Sequence, residues 1–406
     1  MQKKPPSDHR YDVAIIGGGL IGCAMALALS REGFSAVLLD PAPTDARAAA
    51  DFDGRAYAIA EGSSNLLRAL GVWDQVAPNA QPVRSITVTD RTEGPVPPAL
   101  IHFDPEDRDV TDLGHILEDR FLRRTLLEAV DQSGVVHLSG VGAANIDVGP
   151  GWARIDDRIS ARLVVCCDGR RSAVARAAGI RYLAWSYGQT GLVSAVAHEH
   201  PHGGEAHQAF FPGGPFAVLP LTENRSSLVW SEQNAVAAEI AGSDDQTYMA
   251  EITSRIAGRL GALDLAGKRW SYPLGLSLAL TYCAPRLVVA GDAAHGVHPI
   301  AGQGMNLGLR DVAALTEILT EAVRRGEDIG ALMVLERYQE WRRPDATVMA
   351  LGMDGLNRLF STGSGPIQAV RNLGLGAVAA SNPARRLFAS MASGTVAGAP
   401  KLLKGR

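Results

Sequence analysis

The sequence predicts an α/β molecule: a mostly parallel sheet flanked by helices, a second sheet inserted into it, and a helical C-terminus. Three observations predict this. The chain opens strand, glycine-rich turn, helix, strand, which is the order of a parallel βαβ unit. Its middle changes to apolar runs joined by polar turns. Its last third returns to a buried strand and then to helical spacing.

Taken in order, the first strand spans 12–16, the helix 20–31 and the second strand 36–40. Segment 13–30 carries no charge and meets the crude length of a membrane span, about 18 residues. Gly17, Gly18, Gly19 and Gly22 interrupt it, and each costs about 1 kcal/mol inside a helix, so strand, turn and helix explain it better. "DGRAYAIAEGSSNLLRALGVW" leads into a helix from about Ser63, and a Pro-rich polar stretch covers 93–109. A helix over 118–130 and strands near 135–138 and 161–167 rejoin the first sheet. Within 182–270, "GPFAVLPLTENRSSLVWSE" reads as strands 216–221 and 226–230 around a polar turn. A buried strand at 286–290 follows. Val312, Leu315, Leu319 and Val323 then keep helical spacing, and the last sixty residues read as helical and rich in Gly, Ala and Arg. The expected division is therefore 1–75, 101–180 and 281–345 for the nucleotide-binding unit, 76–100 and 181–280 for the inserted sheet, and 346–406 for the helical tail.

The 406 residues suffice for two or three domains, with 46% hydrophobic and 20% charged residues. A net charge of −4 gives no reason to expect nucleic acid as a partner. The four cysteines, Cys23, Cys166, Cys167 and Cys283, include no CxxC pair, which fits a reduced cytoplasmic chain and excludes a disulfide reductase. The N-terminus "MQKKPPSDHR" is unlike a secretory signal.

"VAIIGGGLIGCAMALALSREGFSAVLLD" places Gly17, Gly19 and Gly22 in GxGxxG register between strand and helix, with Asp40 closing the next strand. Gly17 makes the turn, Gly19 lets the backbone approach a pyrophosphate, and Gly22 lets helix and strand pack closely. The N–H groups at Leu20 and Ile21 open the helix, and Asp40 can accept from an adenosine ribose. This is a Rossmann-type fingerprint. A single fingerprint near the N-terminus favours FAD, with no second one for NAD(P)H.

"LVVCCDGRRSAVARAAGI" ends a buried strand at Asp168-Gly169. It reads either as a plain capped strand–turn–helix or as a cofactor turn. In "GDAAHGVHPIAGQGMNLGLRD", Gly291 and Asp292 close a strand, and the Asp292 carboxylate can accept from the ribityl hydroxyls of a flavin. Gly302, Gln303, Gly304, Met305 and Asn306 then start a helix whose N–H groups suit the negative charge of a reduced flavin.

With these motifs in this order, the chain resembles the flavoprotein aromatic hydroxylases of the p-hydroxybenzoate hydroxylase fold. Within them it is most similar to the ubiquinone-biosynthesis hydroxylases. "AAHGVHPIAGQGMNLGLRD" and the tail "RNLGLGAVAASNPARRLFASMASG" carry the narrower likeness. The resemblance implies FAD reduced by NAD(P)H, O2 as co-substrate, and oxygen transfer from a flavin C4a-hydroperoxide to a polyprenylated phenol. It also implies a chain peripheral to the inner membrane and associated with other enzymes of the pathway. It places Arg55 and Arg120 on the cofactor side, has Asp168-Gly169 serve FAD and NAD(P)H, and lines the isoalloxazine with Pro299 and residues 302–306. The sequence departs from the family at Asp119, where an amide or histidine is usual, and by an arginine displaced to Arg176.

Asp292, His295 and His298 stand three apart, yet no second cluster offers further ligands, so no metal is expected. His295 reads as structural. His298, beside Pro299, reads either as structural or as a handler of the substrate's phenol proton, and these two are the candidate catalytic positions. Phe210, Phe211 and Trp230 read as inner-face packing or pocket lining. Arg371, Arg385, Arg386, Lys401, Lys404 and Arg406 give the tail a basic edge, suited either to an anionic membrane or to a solvated helix pair.

Overall fold

The short apolar runs of the first third become strands because each is bounded by a turn and flanked by a helix that buries it. In the computed structural model, which describes residues 10–47, 51–90, 99–103, 112–360 and 398–405, strand Arg10–Ile16 lies between Ala36–Asp40 and Ile159–Cys166, parallel to both. Val136–Ser139 and Leu287–Val289 extend this parallel set at its two sides. An antiparallel edge, Cys283–Ala284, and the Ile146–Val148/Ala153–Ile155 hairpin complete an eight-stranded sheet. Its centre is dry: Val13, Ala14, Ile15, Leu38 and Val164 have no exposed surface. Helices Leu20–Arg31, Asp119–Gln132 and Gln303–Arg324 cover it.

The second sheet has nine strands built around Tyr182–His198, a strand of 17 residues. It pairs antiparallel with Trp270–Ala279 on one side and Arg225–Gln233 on the other. Helices Asn234–Gly242 and Asp245–Ile256 pack on it over Phe216, Leu228 and Trp230. His295–Gly296 joins this sheet through Trp270–Ala279, so the segment following strand Leu287–Val289 leaves one sheet and edges the other. A small third sheet joins Ala56–Ile59, His115–Glu118 and Ala80–Pro82.

Three boundaries of the expected division move. Ala99–Phe103 pairs with Ser85–Asp90 in the nine-stranded sheet, although the boundary at 101 split it from that unit. Ala80–Pro82 pairs instead with His115–Glu118, outside the nine-stranded sheet. The boundary at 345/346 falls inside one continuous helix, Leu332–Phe360, which carries Pro344. Of the tail, residues 361–397 and 406, with Arg371, Arg385, Arg386 and Arg406, lie outside the described residues.

Lys401–Lys404 docks back onto the first unit. Leu403 is buried, its carbonyl accepts from Asn65 Nδ2 at 3.2 Å, and Lys401 Nζ pairs with Glu317 at 3.1 Å. Lys401 is therefore ion-paired at the surface, and Lys404 is exposed. No described helix is long and apolar enough to cross a membrane.

Candidate active site

Ligands of open α/β sheets bind where the parallel strands end at their carboxyl edge, and three turns meet there. Gly17 has φ +105°, and a Cβ on it would lie 2.6 Å from the Cys167 carbonyl oxygen and 2.8 Å from Asp168 Cα. The glycine turn therefore abuts the Asp168 turn. A Cβ on Gly22 would lie 1.8 Å from the Gly17 carbonyl oxygen, whereas one on Gly19 would meet nothing within 4 Å. Gly17 and Gly22 are glycines for contact, and Gly19 for open approach.

Asp40 is buried beside this turn, its carboxylate filling the space a Gly18 side chain would need. Its Oδ1 accepts from Ala42 N–H at 3.0 Å. The third turn arrives through Ile21, whose side chain sits within 3.1 Å of a Cβ built on Gly291 and 2.7 Å of one built on Gly308. Leu20 is buried and Ile21 partly buried, so at Leu20 it is the main chain that faces a ligand.

A dinucleotide fits this arrangement. Neither Gly19, at the N-terminus of Leu20–Arg31, nor Gly302, at that of Gln303–Arg324, provides a side-chain cap. Both helices thus present first-turn N–H groups and a partial positive charge to whatever lies in front of them. Gly302 is left-handed at φ +61°, and a Cβ there would fall 2.8 Å from Ala58 Cβ. Gly304 lies near Val297, Met305 is buried in the core and Gln303 is buried. Asp168 and Asp292 both expose their carboxylates. Burial by surrounding protein raises the Asp168 carboxyl, partly offset by a hydrogen bond from Ser172.

Two of the expected cofactor residues, Asn306 and Arg120, have side-chain partners within the protein. The Asn306 amide is tied to the main chain around strand Ala56–Ile59. Its Oδ1 accepts from Ala60 N–H at 3.0 Å and Ser63 Oγ at 2.7 Å, while Nδ2 donates to the Ala58 carbonyl at 2.9 Å. It clamps the start of helix Gln303–Arg324 to strand Ala56–Ile59 and to the turn after it. Arg120 donates to Glu118 at 2.7 Å and stacks on Phe121 and Phe52, in a group that Arg225 of the nine-stranded sheet shares. One helical turn on, Arg123 forms the bidentate pair with Asp119, at 2.6 and 2.9 Å, on the face that meets helix Leu20–Arg31. The i,i+4 spacing of Asp119 and Arg123 was the available signal.

Arg55 is half-exposed, paired with Asp53 at 2.6 Å and Asp119 at 3.3 Å and lying over Trp270. The same Asp119 accepts from Tyr57, whose hydroxyl is pushed up by burial and by that carboxylate. Asp119 is thus paired with two arginines, Arg55 and Arg123.

In the bridging segment the two histidines divide. His295 Nε2 meets Asp311 Oδ2 at 2.6 Å, and Arg342 Nε donates to Asp311 Oδ1 at 2.8 Å. Gly291 N–H donates to the same carboxylate at 2.9 Å, so this buried trio fixes the turn that carries Asp292. His298 is wholly buried. Its Nδ1 accepts from Ile300 N–H at 3.3 Å, which leaves the proton on Nε2, and Nε2 has no partner among the described residues. Burial, reinforced by Arg170, lowers its pKa to about 4. Near neutral pH His298 is an uncharged donor. It lies edge-on to Tyr187 at 5.2 Å, and Pro299 follows it into the short turn Ile300–Gly302.

Arg170, which the sequence did not single out, reaches the bridging segment by donating to the Val297 carbonyl at 3.3 Å, over a glycine at 296 that leaves it room. It and Asp292 both act on Tyr272. The displaced Arg176 is exposed and lies over Tyr182. Trp230 is core, against Phe216 and Arg255, whereas Phe210 stacks on Phe360 of the last helix at 3.6 Å. Among the described residues no three His, Cys, Asp or Glu side chains converge as a metal site.

Residues 10–350 match the FAD binding domain family. The chain is 40% identical to ubiquinone hydroxylase UbiL of Rhodospirillum rubrum, covering 98% of this chain and 94% of that one. It is 36% identical to 3-demethoxyubiquinol 3-hydroxylase of Escherichia coli, over 90% of this chain and 93% of that one. The crystal structure of p-nitrophenol 4-monooxygenase PnpA from Pseudomonas putida superposes with a TM-score of 0.76 at 17% identity, covering 96% of this chain and all of that one. This last likeness shows the expected p-hydroxybenzoate hydroxylase-like fold. A glycine turn shaped for a dinucleotide, two uncapped helix starts and near-full-length identity agree: the chain belongs to the FAD-dependent monooxygenases of the ubiquinone-biosynthesis hydroxylase family.

Proposed function

We propose that this monooxygenase hydroxylates the ring of a polyprenylated phenol or quinone precursor of ubiquinone, taking electrons from NAD(P)H and oxygen from O2. The observation that carries this reading is the bridging segment. It starts at the carboxyl edge of the parallel sheet and pairs, at His295–Gly296, with the nine-stranded sheet. A group held along it meets nucleotide-binding turns on one side and the large sheet on the other.

Bound FAD supplies the two-electron reduction and O2 activation that no side chain here can provide. The chain's own residues bind and orient. The N–H groups beyond Gly19 take the pyrophosphate, Asp40 the adenosine ribose and Asp292 the ribityl hydroxyls. The start of helix Gln303–Arg324 opposes negative charge on the flavin ring. On the substrate side, neutral His298 donates from Nε2 without placing a charge beside an apolar ring. Tyr187, Trp185 and Pro299 exclude water there.

A prenylated substrate places the chain at the surface of the inner membrane, beside the other enzymes of the pathway. Supporting this, Val348, Leu351 and Leu356 are exposed on the helix that packs against the nine-stranded sheet.

The test is turnover of holoenzyme with NAD(P)H, 18O2 and a short-chain 2-prenylphenol. Hydroxylated product carrying one 18O is expected, and a strain lacking the protein should accumulate an under-hydroxylated quinone precursor. Turnover of small soluble phenols with none of the prenylated ones would overturn the substrate assignment.

A further inference from the structure

Strand Tyr182–His198 is regular on both sides of one irregularity. Ser186 pairs with Gly275 but Thr190 with Pro273, so Tyr187, Gly188 and Gln189 stand against Leu274 alone. Gly188 takes φ +68° within this bulge. Bulges re-aim side chains. Here Tyr187 turns to His298, and Gln189 turns to the hairpin at Gly213 and to Asn357 on the last helix. Between these elements lies a cavity of about 470 Å³ lined by Trp185, Tyr187, Gln189, Gly213 and Asn357 among others. That volume suits a substituted aromatic ring, and Tyr187 connects it to the His298-Pro299 turn.

The polarity of its floor is set by the main chain. The Gly213 carbonyl can only accept, so Gln189 must present Nε2 to it, at 2.8 Å. Gln189 Oε1 then accepts from Asn357 Nδ2 at 3.0 Å. The relay leaves Asn357 Oδ1 with no hydrogen-bond partner among the described residues, on a side chain in a residue only 3% exposed. A buried carbonyl oxygen in that state calls for a donor. An alkyl chain cannot supply one, whereas a phenol can.

Building on the proposed function, we infer that Asn357 is a specificity-determining residue: its Oδ1 accepts the hydrogen bond of the substrate's free phenolic hydroxyl, with Gln189 and the Gly213 carbonyl holding the amide in place. A site built to hydrogen-bond a hydroxyl rejects the analogue lacking it, because its own polar atom is then left unpaired. The ligand class is a phenol with a free O–H, as opposed to its ether.

The probes are 2-geranylphenol and its methyl ether, in which a methyl group replaces the hydroxyl hydrogen and so removes that donor. Dissociation constants are read from flavin fluorescence of the holoenzyme, normalised to flavin content, alongside hydroxylation of the phenol. The wild type should bind the phenol about tenfold tighter than the ether, the effect of one buried acceptor left unpaired. Asn357→Leu should abolish the preference by weakening the phenol alone. Asn357→Ala, which adds no bulk, is read in the same way if the leucine variant does not fold. A preference that survives both Asn357→Leu and Asn357→Ala overturns the inference while turnover of the phenol keeps the proposed function. So does a wild type that hydroxylates the phenol but binds the ether equally well. A wild type that neither binds nor hydroxylates the phenol overturns both.

Discussion

Gly19 and Gly22, three residues apart, separate cofactor binding from folding. At Gly22 a methyl group would meet the Gly17 carbonyl at 1.8 Å, and backbone there has nowhere to go. Gly22→Ala should therefore lower apo-protein stability by about 2 kcal/mol or more, and lose flavin as well. Gly19 is in extended conformation with open space before it. Gly19→Ala should leave the apo-protein melting temperature unchanged while flavin retention falls at least several-fold; equal melting losses in the two variants would refute this division.

His298 carries a pH prediction. Its folded pKa, near 4, lies below the unfolded value near 6.5, so the unfolded chain binds more protons between them. Stability is full above about pH 6.5 and is lost as pH falls towards 4, by roughly 3 kcal/mol from this residue. Denaturant titrations at several pH values should show that loss in the wild type and not in His298→Gln.

Among the elements, the start of helix Gln303–Arg324 is held by two buried devices. Asn306 clamps it to strand Ala56–Ile59, and Asp311 ties it to His295, Arg342 and the Gly291 turn. Asn306→Ala leaves the Ala60 N–H and the Ala58 carbonyl without the amide. It should cost about 3 kcal/mol in urea denaturation of the apo-protein. If the amide instead served only the flavin, apo stability would not change.

This element also shows the limit of motif reading. The glycines and the helix start were legible because they are local. The use of Asn306 was not, since its partners lie about 250 residues away in the chain. Arg120 and Arg123 make the same point. Both are plain in "DRFLRR", but which of them meets the glycine helix depends on the face that Asp119–Gln132 buries.

At the scale of the whole molecule, the apolar residues Val348 and Leu351 stand exposed on the last helix. If this face meets the membrane, Val348→Ser combined with Leu351→Ser should reduce co-sedimentation with phosphatidylglycerol vesicles several-fold at unchanged flavin content. No difference from a wild type that sediments would move the contact elsewhere.

The sequence alone determined the parallel βαβ start, the inserted sheet, the nucleotide fingerprint and the family, because strand runs, turn glycines and a GxGxxG register are set by neighbours a few residues apart. Tertiary structure decided the allocation of polar side chains. It made His295 a partner of Asp311, gave His298 its lowered pKa through burial and Arg170, and turned Gln189 onto Asn357 through a bulge. Those outcomes depend on which distant group fills each buried hydrogen-bonding position, and only the packed sheets settle that.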